Sequence, residues 1–235
     1  MKRILVTGGE GRFAKVLKNK KSKFNFIFRN KKQLNVLSET SIINNIKKFK
    51  PHYLMHLAGL SRPMKIHDKN IKKSIKLNII GTANIVRACI EKNLKLIYFS
   101  TSYVYEGKKG RYKETDPVLP WNNYGWSKLG GESAVQMYKN SLILRVCMTE
   151  KPFLHKRAFA NVKLNFIFHD ELSKILIKLL NKKGIINLGG PTRTVYNFAK
   201  KYNKKIKKIY VRKKSSYNFP LKPFMNLSKL NKIIN

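Results

Sequence analysis

At 235 residues and 43% hydrophobic, the chain can bury the core of one α/β-sized domain with a modest appendage, and none of its apolar runs reaches the roughly 20 residues of a membrane span. A formal charge of +40 would suit nucleic acid or an anionic membrane. However, lysine outnumbers arginine about four to one and is spread along the whole chain, which marks a compositional bias more than an arginine-built phosphate surface. Membrane and nucleic acid are therefore disfavoured as partners, and only the dense basic stretch at 200–214 keeps a nucleic-acid reading open.

Residues 3–7 read as a short buried strand, broken at once by Gly8-Gly9-Glu10-Gly11, after which Phe13-Ala14-Lys15-Val16-Leu17 starts a helix. Nothing in this opening resembles a signal peptide, so a cytoplasmic protein is expected. Strand, glycine turn and helix form the context in which G-x-x-G-x-x-A carries meaning. Gly8 and Gly11 let the backbone approach a pyrophosphate, and the helix N-terminus presents its positive end. A second strand at 24–28 ends in Arg29, where an NAD-selective site usually places an acid for the ribose hydroxyls. With Arg12 in the glycine loop, Arg29 offers a second guanidinium for a 2′-phosphate, which favours NADPH and leaves NADH as the alternative.

Residues 34–36, including Asn35 and Val36, read as a third short strand, and 38–50 as a helix stopped by Pro51. Residues 53–59 read as a fourth strand, ending in Leu57-Ala58-Gly59; His56 within it is expected to be a satisfied core residue. Residues 68–92 read as one long helix containing Asn78, and 94–100 as a strand delivering Ser100 and Thr101 to its carboxyl end. Ligands bind outside that end in open α/β sheets, so Thr101 and the glycine loop should face one crevice. Cys89 and Cys147 lie far apart in apolar segments, as small buried thiols, and no histidine shows metal-ligand spacing, so no metal site is expected.

After a polar loop, Asn122 or Asn123 can cap a helix carrying Tyr124-Gly125-Trp126-Ser127-Lys128. Tyrosine and lysine four residues apart share a helix face. An ammonium beside a phenol stabilises phenolate and eases proton transfer near neutral pH. Gly125, Gly130 and Gly131 weaken this helix, so it should pack closely against a dinucleotide or a strand. Residues 141–146 add another core strand. The alternation implies a Rossmann-type doubly wound parallel sheet over 1–146, with a small C-terminal substrate lobe over 147–235 that sends segments back to the sheet. In that lobe 163–168 reads as a strand, 169–180 as a helix and 184–191 as a strand closed by a turn.

These residues resemble the extended short-chain dehydrogenase/reductase family. The resemblance is carried by Thr7-Gly8-Gly9-Glu10-Gly11-Arg12-Phe13-Ala14, His56-Leu57-Ala58-Gly59, Asn78 with Gly81-Thr82, Ser100-Thr101, Tyr124 with Lys128, and Asn187-Leu188-Gly189-Gly190-Pro191. Within it, Ser100-Thr101-Ser102-Tyr103-Val104-Tyr105-Glu106-Gly107 is similar to the dTDP-4-dehydrorhamnose reductases, with Ser102 in place of their aspartate. The related 4,6-dehydratases carry Asp-Glu after the threonine; Ser102 and Tyr103 here argue against dehydration.

The resemblance implies an NAD(P)H-dependent reductase of a nucleotide-activated 4-keto-6-deoxysugar, with Thr101, Tyr124 and Lys128 catalytic. It implies cofactor contacts from Gly8, Gly11, Arg12, Phe13, Arg29, Asn35, Val36, Leu57, Ala58, Gly59, Asn78, Ser100, Tyr124 and Lys128, and a homodimer as a candidate assembly. Two other expectations stand beside it. One is a nucleotide-sugar epimerase with retained NAD; the other is a catalytically idle Rossmann module that binds nucleic acid or a partner enzyme.

Overall fold

The alternation becomes a six-stranded sheet in the computed structural model, which describes residues 1–212 and 219–235. Lys213 and Lys214, the end of the basic stretch, lie outside the described residues. The sheet strands are β1 (Lys2–Thr7), β2 (Phe24–Arg29), β3 (Tyr53–His56), β4 (Lys95–Thr101), β5 (Ser141–Val146) and β10 (Gly184–Leu188), all parallel and ordered β10-β5-β4-β3-β1-β2. Leaving β1, the chain steps outward to β2 and then returns to β3 on the other side. The strand order therefore reverses between β1 and β3, where a crevice forms at the carboxyl ends.

The central strands β1, β3, β4 and β5 are buried on both faces because their residues alternate between two apolar layers, while the edge strand β2 is mostly half-buried. Ile4 and Val6, Met55, Ile97 and Phe99, and Leu142 and Leu144 face one core, shared with α1 (Arg12–Lys18), α7 (His169–Leu179) and α9 (Ser228–Ile234). Leu5, Leu54, Leu96, Tyr98 and Ile143 face the other, shared with α2 (Glu39–Phe49), α5 (Gly81–Glu91) and α6 (Asn123–Gln136). A third apolar cluster fills the lobe around Tyr105, Phe153, Phe168 and Phe198, among the short strands β6 (Met148–Thr149), β7 (Arg157–Phe159), β8 (Lys163–Leu164), β9 (Ile167–Phe168), β11 (Arg193–Thr194) and β12 (Lys207–Ile209) and helix α8 (Val195–Lys200).

Four expectations are corrected. Residues 34–36 form no strand: Asn35 Oδ1 accepts from the Leu37 N–H (3.1 Å), a local turn that competes with pairing. The strand expected at 53–59 stops at His56. The single helix expected over 68–92 is broken into α3 (Ile66–Lys69), α4 (Ile71–Ile75), a π-helical turn at Lys76–Ile80, and α5. The strand expected at 163–168 is two strands in two different small sheets, β8 paired with β11 and β9 with β6.

Candidate active site

Asn122 caps α6 by accepting from the Gly125 N–H (2.8 Å), which starts the helix so that Tyr124 and Lys128 face the end of β4. Thr101 ends β4 and is buried there, its hydroxyl accepting from the Tyr103 N–H (3.3 Å). Tyr124's ring is held between Tyr103, edge-on at 5.8 Å between centroids, and His67 at 5.0 Å. Burial raises the Tyr124 pKa, against the lowering influence of the neighbouring Thr101 and the positive charges of Arg62 and Arg12, so the phenol is protonated at neutral pH. Lys128 is also buried, with its ammonium nitrogen 4.2 Å from the Tyr98 ring centroid. Burial pushes its pKa down to about 7, with the Glu132 carboxylate opposing. Arg62 and Arg12 thus add positive charge near the phenol that the Tyr124–Lys128 spacing did not reveal.

The three glycines of α6 do permit a close approach, to the strand residue Tyr98 of β4, whose hydroxyl would lie 2.8 Å from a Cβ at Gly131, and to neighbouring helix and loop. A Cβ at Gly131 would lie 2.4 Å from the Asn78 carbonyl oxygen, and one at Gly130 2.8 Å from Ile79, both in the π-helical turn. A π-turn inserts one extra residue into a helix and re-aims its neighbours. Here it turns Asn78 inward: Nδ2 donates to the Leu60 carbonyl (2.9 Å) and to Ser127 Oγ (2.8 Å), and Oδ1 accepts from the Leu60 N–H (2.7 Å). Both amide donors are spent within the chain, so Asn78 brackets the loop after β3 to the catalytic helix. Gly131→Ala should cost about 1–3 kcal/mol through overpacking, read as a lower urea midpoint at unchanged slope.

His56 is the satisfied core residue expected. Thr82 Oγ1 donates to the Asn78 carbonyl (2.8 Å) and must therefore accept from His56 Nε2 (3.1 Å), which leaves Nδ1 to accept from Thr7 Oγ1 (2.8 Å). Burial, and then the Lys128 charge, push His56 down to about 3, so it stays neutral.

The glycine turn stands at the β1 end of the same crevice. Gly8 has φ +69°, and a Cβ there would meet the Ala58 backbone nitrogen at 2.7 Å; only glycine seats this loop on Leu57 and Ala58. Gly11 is the α1 N-cap with no side-chain cap, so the first amides of α1 are left for another acceptor. Both features fit a dinucleotide pyrophosphate. Gly59 packs on the Asn78 amide. Phe13 is core, its ring against Phe99 (5.3 Å) and His169 (5.7 Å). Arg29 ends β2 beside Gly9, whose N–H donates to the Arg29 carbonyl (2.8 Å), and its guanidinium lies over Phe49 at 5.0 Å.

Four expected residues point elsewhere. Arg12 does not join Arg29; it crosses to Glu150 (2.8 Å), which also holds Arg62 (2.6 Å). Ser100, one strand residue from Thr101, faces the other side and donates to Glu132. Val36 packs against Gly81 in the core, and Asn35 serves its own turn. Arg62, Glu150, Ser127 and His67 are missed by sequence reasoning, because their partners lie 88, 138, 49 and 57 residues away (Arg62–Glu150, Arg12–Glu150, Asn78–Ser127, and 67 to 124). Among the described residues no cluster of His, Cys, Asp or Glu could hold a metal ion, and no helix is long and apolar enough to cross a membrane.

A parallel doubly wound sheet with a glycine turn after β1 and Thr–Tyr–Lys at the end of β4 defines the extended short-chain dehydrogenase/reductase class. A family model described as RmlD substrate binding domain matches residues 1–158, and the chain belongs to that family. It is 26% identical over 202 residues to the dTDP-4-dehydrorhamnose reductase of Aggregatibacter actinomycetemcomitans, covering 82% of this chain and 63% of that protein. It is 35% identical over 114 residues to methionine adenosyltransferase 2 subunit beta of Xenopus laevis, covering 48% of this chain and 34% of that protein. The chain thus spans under two thirds of the length of both relatives. The crystal structure of dTDP-4-dehydrorhamnose reductase from Bacillus anthracis in complex with NADP superposes with a TM-score of 0.87 at 21% identity, covering 99% of this chain and 93% of that one.

Proposed function

We propose that the chain is an NAD(P)H-dependent reductase of a nucleotide-activated 4-keto-6-deoxysugar. The observation that supports this is a protonated Tyr124 beside Thr101 at the end of β4, with Lys128 one turn along α6 over the Tyr98 ring of the same strand. The dinucleotide, when bound, supplies a hydride to the keto carbon. Tyr124 then gives its phenolic proton to the carbonyl oxygen, and Thr101 donates a hydrogen bond to that oxygen. Lys128 lies one turn along α6 from Tyr124, where an amine with pKa about 7 can hold the nicotinamide ribose.

Gly8, Gly11 and the first amides of α1 would hold the pyrophosphate, and Arg29 the adenosine ribose phosphate. NADPH is the cofactor proposed. NADH stays admitted because Glu10, accepting from Asn30 Nδ2 (2.9 Å), brings a carboxylate to the β2 end. The domain reading assigns 1–146 to the cofactor and 147–235 to the substrate. In the lobe, an open surface groove of about 490 Å³ is lined by Lys163, Arg193, Lys201, Thr192, Thr194 and Asn197. None of its three cations is in an ion pair among the described residues, a setting suited to a substrate diphosphate. A cytoplasmic homodimer is the proposed setting; exposed Ile71, Ile75 and Trp126 on adjoining helices α4 and α6 suit a second copy.

The test is NADPH oxidation against dTDP-, UDP- and GDP-4-keto-6-deoxy sugars. Turnover with at least one sugar is expected, and its absence across the panel rejects the reductase. Tightly held NAD without net NADPH consumption would mark an epimerase instead. One further reading is favoured by a specific finding, the likeness to a subunit named for an adenosyltransferase. A catalytically idle Rossmann module would instead bind a partner enzyme with no sugar turnover.

A further inference from the structure

Three elements that the sequence keeps far apart meet on one carboxylate oxygen. Arg12 opens α1 directly after β1, Arg62 lies in the loop after β3, and Glu150 follows β6 on the far side of the sheet centre. Both guanidiniums reach Glu150 Oε1, at 2.8 and 2.6 Å. In the strand order, β1 and β3 flank β4 on one side and β5, which runs on into β6, on the other. The bridge therefore passes over the end of β4, where Thr101 stands. Its place above the catalytic groups is borne out electrostatically: both arginines act on the Tyr124 phenol, and both arginines and Glu150 act on His169.

We propose that Arg62 and Glu150 are positioning residues of the cofactor site: with Arg12 they form a carboxylate-centred clasp that closes over bound NADP(H) and slows its release. This rests on the reading that the crevice takes a nicotinamide dinucleotide. The carboxylate offsets the repulsion between two like charges and holds them together across the opening. Each guanidinium carries five N–H donors and spends only part of them on Glu150, so donors remain for an anionic ligand beneath. The side chains are partly exposed, 43% for Arg12, 39% for Arg62 and 21% for Glu150, so the bridge can open without unfolding the core. It also ties the glycine loop to the start of the lobe, which couples dinucleotide release to separation of the two.

The experiment is stopped-flow fluorescence of NADPH release from the full chain, from Glu150→Gln, from Arg62→Gln and from the double variant, with thermal midpoints to verify folding. Exposed ion pairs are worth little singly, and affinity differences of this kind appear in dissociation. Glu150→Gln should therefore speed release about three- to tenfold, with association changed less. The effect of Glu150→Gln should shrink in the Arg62→Gln background, since the two act through one bridge. Unchanged release in Glu150→Gln overturns the clasp. Slower release also overturns it, because Glu150 would then be competing with the ligand for the arginines. If the wild-type chain binds no dinucleotide, the clasp and the reductase fall together; if it binds and turns over a keto-sugar while release is the same in all variants, only the clasp falls.

Discussion

Replacing Tyr124 with phenylalanine should lower keto-sugar reduction by about 10²- to 10⁴-fold, the usual worth of a positioned acid or base, while NADPH affinity stays unchanged. The split follows from what the ring and the hydroxyl each touch. The ring is wedged between Tyr103 and His67, and phenylalanine keeps both contacts. The hydroxyl alone faces Thr101 and carries the proton. Burial raises its pKa, which keeps the phenol protonated and suits a donor to a developing alkoxide. Steady-state kinetics on the accepted sugar, beside a fluorescence titration with NADPH, separate the two effects. A phenylalanine variant with full activity would remove Tyr124 from the chemistry. A variant that also loses NADPH would mean that the phenol serves binding rather than proton transfer.

How much of this was legible depended on whether a feature was local. Strand periodicity, the glycine turn and the Tyr124–Lys128 spacing are set by neighbours within a few residues, and the sheet and the core of the site follow from them. The π-helical turn at Lys76–Ile80 was not legible. Ile71, Ile75, Ile79 and Ile85 keep a near-helical rhythm, and the extra residue of the π-turn is selected by a partner, the Ser127 hydroxyl that takes the Asn78 amide. Arg12 was placed with Arg29 because both are cations near the dinucleotide; a carboxylate 138 residues on decides otherwise. Ser100 was placed beside Thr101 although strand alternation puts them on opposite faces, an inference the sequence already allowed. The lowered pKa of Lys128 could not be read at all, since it depends on how deeply the folded chain buries the side chain.

The second large effect is on stability and lies behind the site. Glu132 on α6 and Arg145 on β5 form a buried ion pair, with side chains 0% and 3% exposed. Arg145 donates to Glu132 Oε1 from Nε (3.0 Å) and Nη2 (2.7 Å), and to the Tyr105 hydroxyl from Nη1 (2.8 Å). Ser100 supplies Glu132's other oxygen, and Tyr105 passes the network to Asn187 on β10 (2.8 Å). A pair so enclosed adds little net stability over an apolar equivalent, but losing one partner strands the other charge in the core. Arg145→Met should therefore cost about 3–5 kcal/mol, a fall in melting temperature of roughly 6–20 °C for a chain of this size. The doubly apolar Glu132→Leu/Arg145→Met should cost less than the sum of the two single changes, because neither charge is left alone. Thermal and urea unfolding of the three variants measure this, and additive losses would mean that the charges do not act as a pair. Glu132 also raises the Lys128 pKa against the pull of burial. Its removal should leave a smaller charged fraction of Lys128 at neutral pH, so the network that joins α6 to β4, β5 and β10 also sets the charge beside Tyr124.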